Sequence, residues 1–287
     1  MSKVADLHMH TTHSDGTLTP VELARLAKEQ KVDAVALTDH DTVSGIEELV
    51  EETSKLGLEA IPGVELSAAF GPGTLHILGY GFDPRGPIEG RLVQFQKARE
   101  ERNPRILEKL KELGMPLTLE EVKTLSKATG QVGRPHIARA LELKGYVASY
   151  AEAFDKFLSK GKPAYLSKAG LSAKDCVELI HESGGVAVVA HPVQMRLKGE
   201  ELTAKIKELV ALGMDGLEVI HPDHSPENQT LFSDLADEFS LFKTGGSDFH
   251  GAHKPGVQLG QGRPPYFFLE KMRDKISERR RRYALRN

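Results

Sequence analysis

Short apolar runs recur along the 287-residue chain, and most are followed by a polar or glycine-rich break and then by a segment with helical spacing of apolar residues. The predicted strands are Val4–Met9, Ala34–Leu37, Ala60–Leu66, Thr74–Tyr80, Val186–Ala190, Leu217–Ile220 and Leu241–Thr244. The predicted helices include Pro20–Gln30, Ala173–Ser183, Glu200–Leu212 and Pro226–Phe239. This alternation indicates an α/β fold whose mainly parallel sheet closes as a barrel of about seven strands.

One junction breaks the alternation of strands and helices. Only residues 70–73 separate the third and fourth predicted strands, and this segment is too short for a helix. The two strands are therefore predicted to form an antiparallel hairpin.

The strand signal disappears between about residues 90 and 168, where charged sequence with helical spacing replaces it. Thr118 to Glu121 and Ser149 to Glu152 each fit a capping box, in which a hydroxyl and a carboxylate satisfy the free amides of a helix start. We interpret residues 90–168 as a small helical domain for substrate recognition, inserted into a barrel formed by residues 1–89 and 169–287.

Composition excludes several classes of protein. The chain has 39% apolar residues, enough for a core, and no stretch approaches the roughly 20 apolar residues that cross a bilayer. The amino terminus lacks the apolar segment of a signal peptide, so we expect a soluble, cytoplasmic protein with no membrane contact and infer no protein partner. The single cysteine, Cys176, has the spacing of a buried helical residue and excludes thiolate metal clusters.

Charge gives little indication of a partner. The formal net charge of −3 does not suggest a protein that coats nucleic acid. The run Arg279 to Arg282 is locally basic, and we interpret it as a solvated tail.

Histidine and acidic residues lie at one end of nearly every predicted strand. The carboxyl ends of parallel strands form one rim of a barrel, which is where barrel enzymes place their catalytic groups. The residues predicted at this rim are His8, His10, Asp15, His40, Glu65, His76, His191, His221, Asp248 and His250. Each alone is more often structural, but independent accidents would not fill the same edge of six or seven strands while leaving the strand interiors apolar. The set predicts a multinuclear metal site built from imidazole and carboxylate.

The remaining histidines give weaker signals. His13 is out of phase with the first pair of histidines, and His181 and His224 have the surroundings of structural residues. His253 is close enough to the predicted rim to stay undecided.

Six motifs in order, HMHTTHSDG, LTDHDT, PGVEL, LHILGY, AHP and GSDFHG, resemble those of the PHP family, named for polymerase and histidinol phosphatase. The resemblance covers nearly the whole chain, and the combined pattern is specific although each motif is short. Within the family the chain looks most like the bacterial nucleoside 3′,5′-bisphosphate phosphatases, also described as RNase AM, because the helical insert and residues 133–136 resemble theirs.

The resemblance implies a distorted seven-stranded PHP barrel with two or three divalent ions. One ion would be surrounded by His8, His10, Glu65 and Asp248. Glu65 would bridge to a second ion held by His76 and His191, and a third would be held by Asp15, His40 and His250. Mixed nitrogen and oxygen ligands suit manganese, our first choice, or iron or zinc better than magnesium or calcium. Such ions acidify water and neutralise phosphate oxygens, so that no protein nucleophile is needed.

A second phosphate of the substrate needs ligands other than these ions. Arg134 precedes Pro135, a favoured first residue of a helix, so a guanidinium and free helix amides would face the same space. We predict that Arg134 and His136 bind this phosphate, with Lys162 and His221 as further substrate contacts. The residues expected to carry catalysis are Arg134, His191 and Asp248.

Three functional hypotheses follow from the sequence. The leading one is a hydrolase that removes the 3′-phosphate of a nucleoside 3′,5′-bisphosphate and trims short RNA from its 5′ end. The second is a histidinol phosphate phosphatase or another small phosphomonoesterase, against which the helical insert argues. The third is a metal-bound binding module without catalysis, against which the complete ligand set argues.

Overall fold

A computed structural model describes residues 3–71, 73–126, 132–166 and 171–284, without the side chains of residues 95–100 and 282–284. The strands are β1 (Ala5–Asp6), β2 (Ala34–Leu37), β3 (Glu59–Ala68), β4 (Leu75–Tyr80), β5 (Val186–Val189), β6 (Gly216–Ile220) and β7 (Phe242–Gly245). The α-helices are α1 (Pro20–Glu29), α2 (Ile46–Leu56), α3 (Pro87–Glu112), α4 (Leu119–Ser126), α5 (Arg134–Leu143), α6 (Tyr150–Ala153), α7 (Ala173–Glu182), α8 (Gly199–Ala211), α9 (Pro226–Glu238) and α10 (Tyr266–Ala284). A π-helical turn (Phe154–Leu158) and 3₁₀ turns (Pro192–Met195 and Gly251–His253) complete the elements.

The seven strands form one sheet in chain order, from β1 to β7. Strand β4 is antiparallel to both β3 and β5, and the other neighbouring pairs are parallel. Backbone bonds between the segment after β1 and the segment at the end of β7 nearly close the barrel, including Asp248 N to His8 O at 2.8 Å. The predicted α/β barrel and its single hairpin are confirmed.

The first strand is much shorter than predicted. Regular pairing ends at Asp6, and Met9 makes only an isolated bridge to Phe249. The predicted strand Val4–Met9 is therefore wrong beyond Asp6, although the rings of His8 and His10 still lie 5.3 Å apart. The bounds of the other strands differ from the predicted ones by a few residues at most.

The strand interiors are not uniformly apolar, so that part of the sequence argument is wrong. Asp6 in β1 and Glu218 in β6 are both fully buried. Asp6 accepts backbone N–H bonds from Ser247 and Gly260, at 2.9 and 2.6 Å, and thereby holds the chain around β7 against β1. A buried carboxylate with such donors satisfies the requirement that interior polar groups be paired.

Residues between α3 and the end of the described insert have a core of their own. Fifteen buried residues from Ile106 to Ala164 pack together, apart from the clusters that fill and surround the barrel. The helix α3 joins the two regions, because Ile88 and Leu92 near its start pack in a barrel cluster. Both predicted capping boxes have hydroxyl-to-amide bonds, from Glu121 N to Thr118 Oγ1 and from Glu152 N to Ser149 Oγ, each at 3.2 Å.

The division into a barrel and an inserted domain stays a prediction. The proposed first boundary, at residue 90, lies inside α3, and the proposed second boundary, at residue 168, lies outside the described residues. A separate apolar core for the insert supports the division, and we keep it as a proposal.

The interpretation of the arginine run as a solvated tail is wrong for its first two members. The chain continues as α10, which packs on the barrel through Leu269, Met272 and Ile276. Arg279 Nη2 lies 2.5 Å from Asp215 Oδ1, and Arg280 Nη2 donates to Gly81 O at 2.7 Å. The side chain of Arg282 lies outside the described part of the chain.

Two smaller expectations concern burial. Cys176 is buried in α7, and burial raises the pKa of its thiol. Both observations agree with its interpretation as a buried core residue. Across the described ranges, no helix combines the length and the apolar character needed to cross a bilayer.

Candidate metal centre

Glu65, in the middle of β3, is the centre of a buried cluster of imidazoles. Its Oε2 atom lies 3.3 Å from His8 Nε2, 3.2 Å from His10 Nε2 and 3.1 Å from His40 Nδ1. Its Oε1 atom lies 2.7 Å from His76 Nδ1 and 2.8 Å from His191 Nε2. One carboxylate therefore faces five imidazoles, an arrangement suited to bridging two cations.

The four residues predicted around the first ion meet at one point. The potential ligand atoms of His8, His10, Glu65 and Asp248 all lie within 4.8 Å of one another, and all four residues are buried. Asp248 Oδ1 is 3.4 Å from His8 Nε2 and 3.1 Å from His10 Nε2. These residues come from the first, third and last strand regions, so barrel closure is what brings them together.

The predicted second and third groups also converge, with additional members. His76 and His191 both contact Oε1 of Glu65, and His40 contacts the other oxygen, Oε2. His10, Asp15, His40 and His250 form a further group within 4.8 Å, in which Asp15 Oδ1 is 3.3 Å from His250 Nε2. His10 and His40 thus lie between groups that the resemblance treats as separate.

The buried polar atoms of this cluster fit a cation better than they fit one another. His8 Nε2, His10 Nε2, His40 Nδ1 and Glu65 Oε2 lack a partner with hydrogen-bond geometry, although nitrogen and oxygen atoms approach within 3.1 to 3.4 Å. Buried polar atoms without partners are costly, and a shared cation satisfies all of them together.

The pKa values of the cluster are set by two opposing influences, burial and the charges of neighbouring groups. Burial opposes charge on His10, but Asp248 and Glu65 outweigh it and raise its pKa to about 10. Burial alone dominates at His40 and lowers its pKa to about 3, so that this imidazole is neutral. Burial would raise the pKa of Glu65, but the surrounding imidazoles hold it well below its ordinary value.

The second oxygen of Asp248, Oδ2, has two partners, and the sequence indicated only one of them, His221. His221 is buried, and its Nδ1 accepts the N–H of Asp223, so its Nε2–H donates to Asp248 Oδ2 at 3.2 Å. Lys254, in the loop after β7, contacts the same Oδ2 atom through its ammonium group. Lys254 was missed because a lysine in a loop carries no pattern of its own.

Glu218 and Asp39 were also missed, and both hold residues of the cluster in place. Glu218 Oε1 lies 2.9 Å from His8 Nδ1, and Oε2 accepts the backbone N–H of His191 at 2.6 Å. Asp39 accepts from the Thr11 amide at 2.7 Å and from Ser14 Oγ at 2.6 Å, and so fixes the loop before Asp15. A glutamate inside the apolar run of β6 was the available signal for Glu218.

The histidines set aside in the sequence lie outside the cluster or at its edge. His13 contacts Ser44 and Glu48, His181 contacts Asp215, and His224 donates to Val219 O and packs on Phe232. His253, left undecided, donates from Nδ1 to Asp15 O at 2.8 Å, which places it beside the third group.

The helical insert reaches the cluster next to Asp15. The rings of His136 and Tyr150 lie 6.4 and 6.5 Å from the ring of His253. His136 is buried, and its Nδ1 accepts the Gly133 N–H at 3.0 Å, while burial lowers its pKa to about 4. His136 is therefore a neutral imidazole at the start of α5, with its Nε2–H remaining as a donor.

Two arginines of the insert have no carboxylate partner among the described residues. Arg134 donates to Leu158 O at 2.9 Å, and its guanidinium lies 5.2 Å from the ring centre of Tyr165. Arg102, on α3, is 8% exposed, and its Nε and Nη1 atoms have no hydrogen-bond partner. Burial, together with the charge of Arg134, lowers the pKa of Arg102 to about 10, so both groups are cations at neutral pH.

The remaining predicted substrate contact, Lys162, is exposed, and only its backbone amide and carbonyl have described bonds, to Ser159 and Tyr165. Its role stays a prediction. Arg102 was not predicted, because a charged helix such as α3 normally exposes its arginines to water.

Comparisons with known proteins agree with this architecture. The family described as "PHP domain" matches residues 6–215. A 5′-3′ exoribonuclease of Haemophilus influenzae is 38% identical over 251 residues, covering 87% of this chain and 91% of that protein. A 3′,5′-nucleoside bisphosphate phosphatase of Chromobacterium violaceum is 33% identical over 256 residues, covering 89% and 90%. A crystal structure from Bifidobacterium adolescentis, assigned as a metal-dependent phosphoesterase, superposes with a TM-score of 0.86 at 31% identity, over 95% of this chain and 96% of that one.

Proposed function

The chain belongs to the PHP domain family and is a hydrolase with phosphoesterase activity, and we propose that it removes the 3′-phosphate of nucleoside 3′,5′-bisphosphates and trims 5′-phosphorylated short RNA. One observation carries the choice of substrate. Two guanidinium groups that have no carboxylate partner in the described part of the chain lie in the insert, which meets the Glu65-centred cluster beside Asp15. The molecule thus has one region suited to the phosphate that is cleaved and a second suited to a phosphate that is only bound.

The residues that would hold the divalent ions are those predicted from the sequence. They are His8, His10, Asp15, His40, Glu65, His76, His191, Asp248 and His250. Bound divalent cations supply Lewis-acid chemistry, because they acidify water and neutralise phosphate oxygens. We propose two or three ions and manganese as the native metal, with iron or zinc as alternatives, because the ligands mix imidazole nitrogen and carboxylate oxygen.

Two side chains of the protein orient Asp248 within the cluster. His221 and Lys254 both hold Oδ2 of Asp248, which leaves Oδ1 directed at His8 and His10. Lys254 also places a positive charge at the edge of the cluster, where it would stabilise a phosphoryl group that gains negative charge during hydrolysis. We propose Asp248 and His191 as residues of the catalytic centre.

The second phosphate is recognised by the insert in this proposal. Arg134 and His136 begin α5, and Arg102 lies close enough to Arg134 for the two charges to influence each other. A phosphate dianion would balance both guanidiniums, and charge-assisted bonds of this type are the strongest that side chains make. A 5′-phosphorylated RNA offers the same pair of phosphates as a nucleoside 3′,5′-bisphosphate, because its first internucleotide phosphate is attached to the 3′ oxygen.

The proposal is tested by comparing substrates that differ only in the second phosphate. Metal-loaded protein is expected to release phosphate from adenosine 3′,5′-bisphosphate faster than from adenosine 3′-monophosphate, and to shorten 5′-phosphorylated RNA faster than 5′-hydroxyl RNA. A second phosphate held by two guanidiniums should raise kcat/KM by about 10- to 100-fold. Phosphate release and chain length on a gel are the measurements.

The matched control for this experiment is histidinol phosphate, a small monoester without a second phosphate. Faster turnover of histidinol phosphate than of the bisphosphate would replace the proposed substrate by a small phosphomonoester. Equal rates with and without the 5′-phosphate would remove the insert from substrate recognition while leaving phosphoesterase activity intact.

A further inference from the structure

Glu218 is the only carboxylate of β6, and it lies inside the barrel with no exposed surface. Each of its two oxygens contacts one residue of the proposed metal centre. Oε1 lies 2.9 Å from Nδ1 of His8, and Oε2 accepts the backbone N–H of His191 at 2.6 Å. A single side chain therefore connects the end of β1 with the end of β5.

The contact with His8 determines which nitrogen of that imidazole faces the cluster. An ionised carboxylate only accepts hydrogen bonds, so His8 must carry a proton on Nδ1. The other nitrogen, Nε2, is then the one directed at Glu65 and Asp248, at 3.3 and 3.4 Å. Imidazoles that bind metals commonly donate their second N–H to a carboxylate in this way.

The contact with His191 stabilises an unusual backbone. His191 has φ +23° and ψ 65°, a region that residues with a side chain rarely adopt. The residue lies between β5 and a 3₁₀ turn, and this bend directs its ring back to Glu65. The bond from its amide to Glu218 offsets part of the cost of that conformation.

From these two contacts we propose that Glu218 is a positioning residue, which fixes the Nδ1-protonated form of His8 and the bend at His191 so that both imidazoles face the metal cluster. The proposal rests on the metal centre proposed above and is independent of the substrate. Glu218 is not assigned as a ligand, because its Oε1 lies on the side of the His8 ring that faces away from Glu65.

The test is the isosteric variant Glu218→Gln, with Zn²⁺ as the probe. The glutamine oxygen can still accept the His191 N–H, but its amide group would present N–H to His8 Nδ1 and favour the wrong protonated form. We expect the affinity for Zn²⁺, measured by chelator competition, to fall about 10- to 100-fold, with the number of ions at saturation unchanged.

Asp215→Asn is the matched control. Asp215 is a buried carboxylate that contacts an imidazole at 2.9 Å, as Glu218 does, but its partner His181 lies outside the metal cluster. This variant is expected to keep the Zn²⁺ affinity of the natural chain even where it lowers the thermal midpoint. A loss of Zn²⁺ affinity in both variants would indicate general destabilisation and would overturn the proposal.

A measurement on the unsubstituted chain keeps the proposal testable if Glu218→Gln does not fold. In the Zn²⁺-loaded protein, ¹⁵N–¹H correlation spectra of the histidine rings are expected to show that His8 is protonated on Nδ1. The signals of His8 are identified as those that disappear from the spectrum of the His8→Asn variant. Protonation on Nε2 would contradict the proposal, and so would a Glu218→Gln protein that holds one ion fewer at saturation. If the unsubstituted chain bound no Zn²⁺, the proposed metal centre itself would be wrong. If Glu218→Gln and the unsubstituted chain bound Zn²⁺ with equal affinity, only the proposed role of Glu218 would be refuted.

Discussion

Replacing Asp248 by Asn is expected to lower metal-dependent phosphate release by about 1,000-fold or more, because the loss of a charged ligand removes several kcal/mol of stabilisation from the transition state. Asp248 Oδ1 faces both His8 and His10, and the other carboxylate at that point, Glu65, also faces three further imidazoles. The measurement is the rate of phosphate release from adenosine 3′,5′-bisphosphate at saturating metal.

Asp215→Asn serves as the control for this variant as well. Asp215 resembles Asp248 in being buried and in contacting both imidazole and a cationic side chain, here His181 and Arg279, but it lies just before β6 and outside the metal centre. It is expected to retain nearly full activity. A folded Asp248→Asn protein with unchanged turnover would show that the cluster does not catalyse the reaction.

Replacing Arg134 by Ala is expected to lower kcat/KM for the bisphosphate by about 10- to 100-fold, because a charge-assisted bond to phosphate contributes roughly 1.5 to 3 kcal/mol. The rate with adenosine 3′-monophosphate should stay unchanged, since that substrate lacks the second phosphate. Parallel steady-state kinetics on the two substrates measure this selectivity.

Arg139→Ala is the control on the same helix. Arg139 pairs with Glu142, and its replacement by Ala is expected to leave kcat/KM for both substrates unchanged. Arg102→Met should reproduce the selective loss and also raise the thermal midpoint of the ligand-free protein, because it removes a buried charge that no carboxylate among the described residues balances. Equal losses on both substrates with Arg134→Ala would contradict a role in reading the second phosphate.

The fold was predictable from the sequence because its strands are short apolar runs separated by turns and amphipathic helices. The hairpin of β3 and β4 followed from a connection too short for a helix. The end of β1 and the helix α10 were not predicted. The side chains of His8 and His10 are directed by barrel closure rather than by local pairing, and α10 is held by tertiary contacts such as the one between Arg279 and Asp215.

The meeting of the candidate metal ligands at one rim was predictable because the carboxyl ends of parallel strands meet there. The residues that hold these ligand side chains in place were not predictable. Glu218 looked like an exception within an apolar strand, Lys254 lies in a loop without a pattern, and Arg102 lies on a charged helix where burial depends on the packing of the insert. Such supporting contacts depend on which elements pack together, and one sequence does not state that.

The most direct test of the central claim is anomalous diffraction from crystals of the full chain soaked with Mn²⁺. We predict two or three anomalous peaks among the imidazoles and carboxylates around Glu65, with one peak bounded by His8, His10 and Asp248. Peaks confined to the protein surface, or an absence of peaks at the cluster with saturating Mn²⁺, would contradict the account.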